Sequence, residues 1–135
     1  MKTATLHALP AFAAWARARG FRVGDKALDA DGRDFLVVQV YDDKFTGIWG
    51  VHMCDDLKAA DCRLMASESD LWDYLQTRCH RVRGEFYADG GYIRLENPDS
   101  FFSNGVAIGY SAVAEGDATT RIGALVAAVE AVGGE

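Results

Sequence analysis

The chain has 135 residues, half of them hydrophobic and a quarter charged, with a formal net charge of −6. That length and balance fit one compact domain over residues 1–135 and exclude a disordered or coiled-coil chain. The acidic surplus repels phosphate backbones and so argues against direct binding of nucleic acid.

The first predicted element is a short helix that starts at Pro10 and ends before Gly20, the usual asymmetry of helix boundaries. Phe12, Trp15 and Ala16 would face the core, and Arg17 and Arg19 would lie in the last turn, where the helix dipole favours cations. The run Ala8 to Ala16 is too short to span a bilayer and reads as part of this helix, not as a targeting or membrane segment. Phe21 to Leu28 suggests a short edge strand, and Asp31-Gly32 a turn.

Phe35 to Tyr41 is the best strand signal, and its apolar run Phe35-Leu36-Val37-Val38 predicts a central strand covered on both faces. Asp42-Asp43-Lys44 turns it into a second strand, Phe45 to Met53, with Phe45, Gly47, Trp49, Val51 and Met53 on one face. Asp55 to Met65 suggests a short helix. Ser67 and Asp70 resemble a capping box, opening a helix with Leu71, Trp72, Leu75 and Cys79 on one stripe. Asp89-Gly90-Gly91 then joins Glu85–Ala88 to Tyr92–Glu96 in a hairpin that ends at Asn97-Pro98. Asn104-Gly105 opens a strand from Val106 to Val113. Asp117 or Thr119 caps a last helix, whose stripe is Ile122, Leu125, Val126, Val129 and Val132. The sum is an α+β fold: a mostly antiparallel sheet packed by helices, on one face or both in an α/β/α sandwich.

From Asp70 onward the chain resembles the phage ABA sandwich domain, a small family of phage and prophage proteins. The likeness rests on Asp70-Leu71-Trp72-Asp73-Tyr74-Leu75 and on the ribbon Ala88-Asp89-Gly90-Gly91-Tyr92-Ile93-Arg94-Leu95-Glu96-Asn97-Pro98. It also rests on Ala114-Glu115-Gly116-Asp117-Ala118-Thr119-Thr120, leading into Ile122 to Val132. This covers residues 70–134. It implies an α/β/α sandwich in a phage or prophage accessory protein and carries no functional residues with it; the first half matches no pattern of that family.

Candidate chemistry is sparse. Cys54, Cys62 and Cys79 make an odd count without framework spacing, which argues for a reducing cytoplasm. His52 and Cys54, with Cys62 and Cys79 or His80, supply zinc-ligand types but no CxxC pair, so no metal is assigned. The same residues could serve a Cys/His nucleophile only if a base lay within reach of a thiol. Asp29-Ala30-Asp31-Gly32-Arg33-Asp34 fails the calcium-loop pattern and reads as an Asp-Gly turn. No cofactor motif is present.

Arg78, Arg81 and Arg83, with His80, form the one concentrated basic patch, read at a helix end and able to hold a phosphate or carboxylate. Phe101 and Phe102, adjacent in a turn region, cannot both hide and offer a partner anchor. Asp42 and Asp43 belong to an acidic middle, from Asp25 to Asp73, suited to a basic protein surface. These features lead to a non-enzymatic phage or prophage protein that binds and blocks a host or defence protein. Binding of a small anionic ligand such as a nucleotide, and a Cys/His enzyme, are the alternatives. A homo-oligomer paired through an edge strand near Phe21 or Val106 also fits.

Overall fold

The computed structural model describes residues 5–98, 102–103, 106–107 and 109–132. The chain forms two compact units that part between Ala66 and Ser67. Both are α+β, built on antiparallel strands.

The first unit begins with a single helical turn, Leu6–Ala8, and helix α1 (Pro10–Arg19). Pro10 takes the first helical position and Gly20 the C-cap with φ 71°, as the sequence predicts. Phe12, Ala13 and Ala16 are buried, while Trp15 is half-buried with its ring 5.7 Å from that of Phe12. Five strands follow: β1 (Lys26–Leu28), β2 (Asp34–Tyr41), β3 (Lys44–Trp49), β4 (His52–Lys58) and β5 (Arg63–Met65). They form one sheet in the order β4-β3-β2-β1-β5. The first strand is therefore not an edge: it pairs with β2 on one side and β5 on the other.

Three expectations for this unit change, each for a physical reason. Strand β2 is central but covered on one face only; Phe35 and Val37 are 1% exposed, whereas Leu36 between them is 42% exposed. Its apolar run overstates burial because alternation in a one-sided sheet still sends every second side chain outward. Phe45 to Met53 is not one strand, since Gly50, at φ 60°, turns the chain from β3 into β4. A left-handed backbone is cheap only for glycine. Asp55 to Met65 is not a helix: it completes β4, turns through Ala59–Asp61 and enters β5. Ladder pairing of Phe45 with Leu57 and of Ala27 with Leu64 places those two leucines better than a helix stripe would.

The second unit contains α2 (Glu68–Gln76), β6 (Arg81–Tyr87), β7 (Gly90–Pro98), β8 (Phe102–Ser103), β9 (Val106–Ala107), β10 (Tyr110–Ala118) and α3 (Arg121–Val132). Strands β10-β7-β6 form a three-stranded sheet, and β8 pairs with β9. Ser67 caps α2 in a complete capping box: the Asp70 amide donates to Ser67 Oγ at 3.2 Å and the Ser67 amide donates to Asp70 Oδ2 at 2.9 Å. Aspartate thus takes the place more often held by Glu or Gln. The helix stops at Gln76, so Cys79 lies beyond it, and Tyr74 joins Leu71 and Leu75 in the core.

The hairpin turns one residue earlier than expected, at Ala88-Asp89, because Tyr87 pairs with Gly90 and Phe86 with Gly91. Asp117 belongs to β10, and the cap of α3 is Thr120, whose Oγ1 accepts from the Gly123 amide at 3.1 Å. Of the predicted stripe, Leu125, Val126 and Val129 are buried and Ile122 and Val132 half-buried. Each fully buried aliphatic of this kind contributes about 1.5–3 kcal/mol. The strand expected from Val106 to Val113 falls partly outside the described residues; what is described is split between β9 and β10.

Helix α3 packs on β10 and β7, and α2 lies against α3 and β6. That packing needs Gly116. A Cβ there would stand 2.3 Å from the Ala128 backbone nitrogen and 2.8 Å from the Ala127 carbonyl carbon. Helix and strand backbones therefore meet directly, and a methyl group has nowhere to go. Gly116→Ala should lower stability by about 1–3 kcal/mol, the usual cost of overpacking. Urea unfolding checks this, and a loss below about 0.5 kcal/mol would show that the close approach is absent.

Candidate functional site

Alternation in β7 sends Ile93 and Leu95, both 0% exposed, to the helix side. Tyr92, Arg94 and Glu96 take the other side, and the ladder aligns them with neighbours on both flanks. Arg81 stands opposite Glu96, Arg83 opposite Arg94, and Glu85 opposite Tyr92; from β10, Glu115 faces Arg94 and Asp117 faces Tyr92. The side of this sheet away from the helices is thus a mosaic of guanidinium, carboxylate and phenol.

Glu96 is its centre. Its side chain is 3% exposed, and Arg81 Nε donates to Oε1 at 2.6 Å. Arg94 Nε lies 2.9 Å from Oε2, and Arg83 NH1 3.9 Å from the same oxygen. One carboxylate therefore answers three guanidiniums, two of which, Arg83 and Arg94, would repel each other as directly opposed like charges. Glu115 takes part of Arg94, with Oε1 at 3.8 Å. The Arg81 guanidinium carbon lies 3.5 Å from the ring centre of Tyr110, and the Tyr110 ring is 5.7 Å from that of His80. A shallow depression of about 140 Å3, lined by Arg83, Glu85, Tyr92 and Arg94, opens beside the cluster. The Tyr87 hydroxyl donates to Glu85.

Of the residues singled out from sequence, Arg81 and Arg83 share this face. Arg78 is half-buried after the end of α2. Phe101 and the side chain of Phe102 lie outside the described residues. Asp42 and Asp43 are exposed in the turn between β2 and β3 of the first unit, Asp42 with φ 52°. Sequence reasoning missed Arg94 and Glu96. Their signal was the alternation Tyr92-Ile93-Arg94-Leu95-Glu96, which sets three polar groups on one face as soon as Ile93 and Leu95 are assigned to the core.

The charge balance also moves. Residues 3–66 carry nine acids against eight Lys and Arg, while residues 67–135 carry eleven against five. The acidic middle is offset by Arg17, Arg19 and Arg22 just before it. The Asp29 loop is closed by its own groups, with the amides of Asp31 and Arg33 donating to Oδ1 at 3.0 and 2.8 Å and Arg33 Nε to Oδ2 at 2.8 Å.

Cys54 and Cys62 pack against the first unit's core of Ala27, Phe35, Val37 and Phe45. Cys79 lies in the second unit, with Sγ 3.1 Å from the Arg81 carbonyl oxygen. Burial pushes the Cys62 and Cys79 thiols above their ordinary range. Among the described residues no group of three or more His, Cys, Asp or Glu is placed to hold a metal ion. No helix among them is long and apolar enough to cross a membrane.

A second surface lies on the first unit. One row of its ladder runs Met65, Lys26, Leu36, Ile48, Met53 across all five strands. This row is on the side opposite Ala27 and Phe35, and Met53 in it is 66% exposed. Val51, in the adjoining turn, is 95% exposed, and Trp49 is 40% exposed with its ring 6.0 Å from His52.

No protein-family model, no curated protein and no solved structure matches the chain.

The hydrogen bond from Arg81 holds the Glu96 carboxyl below the usual carboxylate range, assisted by the charges of Arg81, Arg94 and Arg83. A carboxylate with a lowered folded-state pKa stabilises the fold above its unfolded value and loses that contribution as pH falls through the folded one. Glu96→Gln should therefore lower the urea midpoint at neutral pH, and the gap from the wild type should close as pH falls below the ordinary value of 4.5. A gap that stays constant between about pH 6 and pH 3 would contradict the role given to Glu96.

Proposed function

We propose that this chain is a non-enzymatic binding protein whose partner is another protein. The observation that carries the reading is the apolar row Leu36, Ile48 and Met53, continued by Val51 in the turn. Soluble monomers seldom leave large side chains contiguous and open to water unless something docks there. Aliphatic and thioether groups of this kind supply desolvation energy but no bond-making chemistry. Burial raises the Cys62 and Cys79 thiols, which counts against those two as nucleophiles, since the thiolate is the attacking species.

The partner this surface suits carries basic groups around an apolar anchor. Asp55 and Asp56 on β4 and Asp42 and Asp43 at the β2–β3 turn rim the same sheet, with Lys44 and Lys58 between them. In its more specific form, the protein is a phage or prophage accessory factor that occupies and blocks a host or defence protein in the cytoplasm. The likeness of residues 70–134 to the phage ABA sandwich domain supports that form.

The test is affinity capture from a bacterial host, run with the wild type and with the double variant Val51→Glu/Met53→Glu. Both positions are exposed, so the variant should keep the wild-type melting temperature. The wild type should recover a partner in a complex that weakens as salt rises, and the variant should lose at least about nine-tenths of it, a change of roughly 1.4 kcal/mol. Recovery of no partner at low salt, or equal recovery by both proteins, would overturn the proposal.

A further inference from the structure

The first unit also holds a cleft of about 450 Å3 between α1 and the chain running from the Ala59–Asp61 turn into β5. Its size falls within the range of small-molecule sites, about 300–1,000 Å3. The walls are mostly apolar, formed by Ala13, Ala16, Phe21, Ala60 and Leu64, with Cys62 half-buried among them. His7 closes one side: its Nε2 donates to the Leu64 carbonyl oxygen at 2.8 Å, and its ring meets Phe12 edge-on at 5.3 Å. That bond also satisfies a backbone acceptor on edge strand β5, which would otherwise invite another strand.

Two cations stand at this cleft, Arg17 from α1 and Arg63 from β5. Both line the same cleft as His7. Neither guanidinium has a hydrogen bond or ion pair among the described residues. The contrast within the chain is informative. Arg19, Arg33, Arg81, Arg83, Arg94 and Arg121 each face a carboxylate. Arg22 also has no side-chain ion pair among the described residues, but Arg17 and Arg63 differ from it in lining one cleft together. Asp29, on the neighbouring loop, is held by Arg33, and the exposed Asp61 makes no ion pair with either arginine.

We infer that this cleft binds a small amphiphile, an apolar body of a few carbons bearing one anionic oxyacid head, with the body against Ala13, Ala16, Phe21 and Leu64 and the head on Arg17 and Arg63. Each half of the ligand answers one half of the site. Guanidiniums recognise carboxylate or phosphate oxygens through paired N–H donors, and the apolar wall excludes water from the body. A bare anion would leave the wall wet, and an uncharged body would leave both cations unanswered. The site is independent of the partner surface on the open face of the sheet.

Calorimetric titration with octanoate, 1-octanol and acetate separates these contributions, and proton spectra of the His7 ring locate the binding. Octanoate should bind, raise the melting temperature and shift the His7 resonances; acetate should bind at least about tenfold more weakly, or about 1.4 kcal/mol. Arg17→Gln/Arg63→Gln, at two exposed positions, should weaken octanoate about tenfold or more while leaving 1-octanol unchanged. Ala60→Phe, also at an exposed position, should fill the cleft and remove binding of both. No octanoate binding at millimolar concentration would overturn the inference. So would unchanged affinity in either variant, or acetate binding as tightly as octanoate. Octyl phosphate in place of octanoate distinguishes the head groups that the two arginines accept.

Discussion

One constraint organises both units: each sheet gives its apolar core a single face, and Glu96, buried on the other face of the second sheet, is held there by arginines. A strand sends alternate side chains to opposite sides, so every apolar residue committed to the core commits its neighbour to the other surface. In the first unit the buried side is the row Leu64, Ala27, Phe35, and the neighbouring row Met65, Lys26, Leu36, Ile48, Met53 faces away from it. In the second, Ile93 and Leu95 meet the helices, and Tyr92, Arg94 and Glu96 are left on the far side. The two outward faces have opposite chemistry. One exposes Leu36 and Met53 beside Lys26; the other is a charged mosaic in which Glu96 neutralises guanidiniums that would otherwise repel each other.

Much of the architecture was legible in the sequence, and the reasons are local. Pro10 and Gly20 bound the first helix, Ser67 and Asp70 close a capping box, and the Leu125, Val126 and Val129 stripe marks the last helix, because each signal acts within one or two turns of chain. Two of the misreadings came from long-range pairing. Nothing near Lys26–Leu28 announces that β5, some 40 residues later, will cover its free side. Leu57 and Leu64 look like helix residues until β3 and β1 supply partners. Gly116 is a different case. A glycine inside a strand signals close approach by another backbone, and here that backbone is α3 at Ala128.

The candidate sites were legible in fragments. The basic patch named Arg81 and Arg83, but their place on one strand face, and the company of Arg94 and Glu96, come only with the ladder. With those partners in place, the basic patch becomes a balanced cluster. Arg17 and Arg63, far apart in sequence and without an ion pair among the described residues, line one cleft. The acidic crowding read from Asp25 to Asp73 fades once the arginines just before it are counted in the same unit. The activity we propose for these surfaces is binding, of a protein on the open sheet and of an anionic amphiphile in the cleft.

Hydroxyl-radical footprinting read by mass spectrometry tests the one-sided burial most directly, because it reports side-chain exposure residue by residue along a strand. On β2 the account predicts alternation, with Leu36 labelled readily and Phe35 and Val37 protected, and on β4 strong labelling of Met53. Equal protection of Leu36, Phe35 and Val37 would mean that the sheet is covered on both sides, and the open apolar face would not exist.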